Sequence, residues 1–126
     1  MANVVGDYGL DNGLNAIKNF ADKIYICTTD PLTFTDAVST YALGNKSFGV
    51  GGCFGVPATA SPNGRQISSI AITDGQVTGT GTAAKWAVVD SVNSRLLANG
   101  SLAASQAVTN GNTFTLASFN IRYPNQ

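Results

Sequence analysis

Beyond Arg65 the chain is cut into short β-prone runs by turn dipeptides, and this punctuation leaves room for little except antiparallel strands. The runs are 65–73, 76–82, 84–90, 95–102 and 113–123, and all but 95–102 carry several Thr, Val, Ile or aromatic residues. Between them stand Asp74-Gly75, Ser91-Val92-Asn93-Ser94 and Asn110-Gly111, with Asn63-Gly64 ahead of the first, and Asn12-Gly13 and Asn99-Gly100 read as turn makers too. Asp-Gly suits a two-residue hairpin because both turn positions take positive φ. Upstream, Lys23-Ile24-Tyr25-Ile26-Cys27-Thr28 reads as another strand, closed by Asp30-Pro31. Within 113–121, Phe114 and Leu116 share one parity while Phe119 and Ile121 share the other. A bulge or a switch between sheets near Ala117-Ser118 would bring all four inside.

One segment reads as a helix. Leu10, Leu14, Ile17 and Phe20 or Ala21 follow helical spacing, with Asp7 and Asp11 toward the start and Lys18 and Lys23 toward the end. The spacing predicts a helix over about 9–21. Thr35-Asp36-Ala37-Val38-Ser39 fits a single helical turn with Thr35 as its cap. The expectation is one mainly β domain over 1–126: an antiparallel β-sandwich or jelly-roll-like fold with one N-terminal α-helix.

Composition narrows the chemistry. The 126 residues include no His and no Glu, so all seven carboxylates are Asp, and only 11% of residues are charged. A Ser-His-Asp or Cys-His arrangement is therefore excluded, and a carboxylate pair or metal site would have to be all Asp. The Asp residues stand singly, mostly at turns and caps. Cys27 and Cys53 lie in apolar or Gly-rich surroundings and read as free buried thiols, with a disulfide formed after release from a reducing cell as the alternative. No catalytic residue, cofactor or metal is expected. Net charge is zero and the seven Lys and Arg are scattered, which argues against a nucleic-acid partner. The start of the chain has no signal-peptide pattern and no stretch is long and apolar enough for a bilayer. The expectation is a soluble protein made in a cytoplasm, with no membrane partner. Trp86 reads as core in preference to a ligand platform. Phe48 and Phe54 flank the Gly-rich stretch and serve either as core or as assembly contacts.

Several segments, read in order, carry a resemblance. They are 13–18 (GLNAIK), 24–28 (IYICT), 31–37 (PLTFTDA), 41–44 (YALG), 72–75 (ITDG), 81–90 (GTAAKWAVVD), 102–109 (LAASQAVT) and 111–116 (GNTFTL). The pattern resembles a family of small structural proteins of tailed bacteriophages and prophages of proteobacteria. The resemblance implies a virion component made in the bacterial host cytoplasm, without catalytic residues. The leading expectation is a capsid decoration (cement) protein packing across capsomer joints. Its partners would be copies of itself and the major capsid protein or another virion protein, with Leu10, Leu14, Phe48 and Phe54 as candidate assembly contacts. Alternatives are a tail, collar, baseplate or head-fibre-base subunit, or a receptor- or carbohydrate-binding module on the particle.

Overall fold

The computed structural model describes residues 7–49, 52–59 and 65–123. The chain is mainly β, antiparallel throughout, with one N-terminal helix. Helix α1 (Asp7–Phe20) leads into β1 (Lys23–Cys27), a short π turn at Asp36–Thr40, and β2 (Ala42–Ser47). There follow β3 (Ala58–Thr59), β4 (Arg65–Ser68), β5 (Ile72–Val77), β6 (Gly81–Asp90), β7 (Arg95–Val108), β8 (Thr113–Leu116) and β9 (Asn120–Tyr123). Six strands form one sheet in the order β7-β6-β1-β2-β5-β8, and β3-β4-β9 form a second. The turn expected at Asn63-Gly64 lies outside the described residues.

The large sheet cannot be flat. Strands β7 and β8 occupy its two opposite edges, yet only residues 109–112 connect them. Six strands laid side by side would hold their outer members about 24 Å apart. The connection, even fully extended, spans about 18 Å. The sheet therefore curls until its edges approach, as a barrel that does not close. Gly111, at φ +92°, makes the bend, and the Asn112 amide donates to the Thr109 carbonyl across it.

The core sits inside this curl. Alternation along β1 and β6 sends Ile24, Ile26, Trp86 and Val88 inward to meet Leu14, Ile17 and Ala21 of the helix region and Ile67 of β4. Ala21 supplies the last helical contact; Phe20 turns outward beneath the Arg95 guanidinium, 5.1 Å from the ring centroid. The opposite parity, Tyr25, Cys27, Ala87 and Val89, is covered by Ala37 with Phe34, Val38 and Tyr41 around the π turn. The β1–β6 pair is thus buried on both faces.

Some punctuation acts differently from its sequence reading. Asp74-Gly75 is no hairpin; it lies inside β5 where the register against β8 slips, and the Phe114 ring lies over Gly75. Asn99-Gly100 likewise lies within β7, with the Trp86 indole against Gly100, and Asn12-Gly13 lies within α1. Strand β7 continues past 102 to Val108. The segment capped at Thr35 is capped instead at Thr33, whose hydroxyl accepts from the Asp36 amide at 3.1 Å, while Asp36 Oδ2 accepts from the Leu32 amide. Thr35 makes no side-chain cap bond because its backbone is already helical. The sheet switch at Ala117-Ser118 is found: β8 pairs with β5, and β9 crosses to β4.

Candidate functional site

A cleft opens on the side where the curled sheet fails to close. Its origin is a large bulge. Ala83 pairs with Gln106 and Lys85 with Ser101, so residues 102–105 of β7 stand opposite the single residue Ala84. The surplus chain arches away from β6 and uncovers the layer beneath. That layer is aromatic: the Trp86 and Phe119 rings stack 3.9 Å apart at 20°, and Phe54 meets Phe119 edge-on at 6.0 Å. Such pairs add about 0.5–1.5 kcal/mol each beyond their burial. Phe119 is held from both sides of its peptide, its amide donating to Ser69 Oγ (2.9 Å) and its carbonyl accepting from the Ser69 amide (2.8 Å).

The cleft has a volume of about 270 Å³. Leu102 and Leu116 extend its apolar floor, while Gln106, Thr115 and Ser118 stand at its rim. Gln106 Nε2 donates to the Thr115 carbonyl at 2.9 Å, so one side chain bridges the two edges of the sheet. Among the described residues, every side chain lining the cleft is uncharged. Trp86, 8% exposed, is chiefly a core residue, in line with its sequence reading, and shows only its margin to the cleft.

The ionisable groups are spent elsewhere, in holding turns. Asp90, 1% exposed, accepts from the Val92 and Asn93 amides, from Asn93 Nδ2 (2.8 Å) and from Arg95 Nη2 (2.9 Å). Hydrogen bonding from the Asn93 side chain, together with Arg95, holds its carboxyl below the ordinary carboxylate value despite desolvation. Asp22, between α1 and β1, accepts from the Ser91 amide and hydroxyl, tying the helix end to the same turn. Ser94 closes that turn in the left-handed region at φ +57°. Asp74 pairs with Lys46 at 3.0 Å and Asp30 with Lys85 at 3.6 Å, both at the surface.

No protein-family model, curated protein or solved structure matches this chain.

The thiols are buried and free. Burial pushes Cys27 up to about 11 and Cys53 up to about 12. They belong to the clusters on opposite faces of the β1–β6 pair. Among the described residues, no three Cys, Asp or Glu side chains gather as a metal site would need, and no helix is long and apolar enough to cross a membrane. Of the four residues named as assembly contacts, Leu14 and Phe54 belong to the protein's own core and Phe48 packs partly buried against it. The side chain of Leu10 lies outside the described residues. Among the described residues, Leu14, Phe48 and Phe54 do not present one exposed face. What the sequence did not single out is the cleft itself: Gln106 and Phe119 become neighbours of Trp86 only through the bulge and the sheet switch.

Proposed function

We propose that this chain is a structural subunit of a bacteriophage virion, set across capsomer joints as a capsid decoration protein. The observation that carries this reading is the nature of the surface. Leu32, Val56 and Val92 are 83%, 75% and 73% exposed, and Phe20 and Ile70 about half so, on a chain with few charges to oppose association. They sit on separate loops and at a helix end, so each can supply a small contact to a different neighbour. Repetition on a lattice lets such weak contacts act together. The resemblance read from segments such as 81–90 and 111–116 points the same way, as does the employment of Asp22, Asp36 and Asp90 in turns and caps.

The decisive experiment is quantitative mass spectrometry of purified particles. A copy number equal to, or a simple fraction of, that of the major capsid protein is expected. Particles stripped of the protein should rupture at lower temperature. A ratio of a few per cent would move the protein to a tail, collar, baseplate or fibre. Absence from the particle would overturn the virion reading, and turnover of any substrate would overturn the structural one.

A further inference from the structure

We infer that the cleft between β7 and β8 binds a neutral monosaccharide unit, whatever the protein's station in a particle. Three independent features meet there. First, the bulge at 102–105 is the larger of two breaks in the β6–β7 register, and the cleft beside it reaches the Phe119 ring and the margin of Trp86. Second, the rim carries unspent hydrogen-bonding capacity of both kinds. Gln106 Oε1 and the hydroxyls of Thr115 and Ser118 make no bond within the chain among the described residues. Third, among the described residues the side chains lining the cleft are uncharged.

Together these features select a ligand class. The one ammonium seen to reach the lining among the described residues, Lys85 Nζ on Ser101 Oγ at 2.7 Å, already pairs with Asp30 at 3.6 Å. A phosphate or carboxylate therefore gains little from it, and no described carboxylate lines the cleft to hold an ammonium ion. A plain hydrocarbon would use the apolar floor but gain nothing from the rim amide and hydroxyls, which stay in water. A sugar ring has one face of C–H groups for Phe119, Leu102 and the margin of Trp86, and hydroxyls that both donate and accept for Gln106, Thr115 and Ser118. A volume of about 270 Å³ holds one such ring and leaves further units of a chain in solvent. Such a small, half-open site should bind in the range of about 1 mM.

Trp86 is the sole tryptophan and its margin lines the cleft, so its fluorescence serves as the readout. The full chain is titrated with glucose, galactose, mannose and N-acetylglucosamine, and with glucuronate and sialic acid as charged comparisons. The expected result is a saturable change in Trp86 emission with at least one neutral sugar. Gln106→Ala and Thr115→Val, with unchanged far-ultraviolet circular dichroism, should each weaken it about three- to tenfold, as loss of a neutral hydrogen bond does. Three results overturn the inference: no saturable response to any neutral sugar, equal affinity in both variants, or preference for the charged sugars.

Discussion

The Cβ that an alanine would place at position 75 falls 2.3 Å from the Phe114 ring, so Gly75 and Phe114 are fitted to each other as a pair. The ring fills the space that a side chain on β5 would take. This is how β8 packs close at the point where its register slips. Gly75→Ala should therefore destabilise the protein by about 1–3 kcal/mol, the usual cost of overpacking. Adding Phe114→Leu should return part of that loss in a double-mutant cycle by urea unfolding. Strict additivity of the two substitutions would show that they do not meet.

Asp90 sets an acid limb. Its folded-state carboxyl titrates below the ordinary 3.8, so the stability it contributes is complete above that value and is lost as pH falls through the folded one. Asp90→Asn removes the Arg95 ion pair, and the gap in stability between wild type and variant should narrow as pH drops below about 4. Chemical denaturation at a series of pH values measures it; a gap that stays constant to low pH would dissociate Asp90 from the limb.

The thiols should be silent in the folded protein. With Cys27 raised to about 11 and Cys53 to about 12 from an ordinary 9.0, neither offers appreciable thiolate at pH 8. Both are fully buried. Labelling by an aromatic disulfide reagent should proceed at the rate of opening, and reach both residues together in denaturant. The stability that depends on keeping these thiols protonated is present below pH 9 and is lost as pH rises through 11 and 12. Rapid stoichiometric labelling under native conditions would contradict this burial.

The cap at Thr33 separates two neighbouring threonines. Thr33→Ala removes the acceptor for the Asp36 amide and should cost about 1 kcal/mol. Thr35→Ala, at an exposed site without a cap bond, should stay within about 0.5 kcal/mol of wild type. Thermal unfolding of the two variants side by side decides it, and a reversed order would return the cap to Thr35.

Legibility in the sequence followed the range of the forces involved. The switch from β8 to β9 was readable because four apolar residues change parity within nine positions, and only a break lets all reach a core. The 91–94 turn and the helix were readable for similar local reasons. Asp74-Gly75 and Asn99-Gly100 misled because their turn propensity is weak beside the packing of Phe114 and Trp86 against them. The long β7 was missed because Ala103-Ala104-Ser105 carry little strand signal; pairing of 106–108 with 81–83 across the bulge holds them there. The cleft was illegible because Trp86, Gln106 and Phe119 become neighbours only once the sheet curls.

The partnership of β4 with β9 fixes how quickly this fold can form. Arg65–Ser68 must wait for Asn120–Tyr123, and every strand between them belongs to the other sheet. Closing so large a loop costs entropy before any of the small sheet's contacts repay it. Folding should accordingly run on the millisecond-to-second scale of non-local β proteins, whatever the final stability. Until β9 arrives, β4 lacks one neighbour and the Ile67 side of the core lies open, so this interval is when the chain is most exposed to association with other unfinished copies.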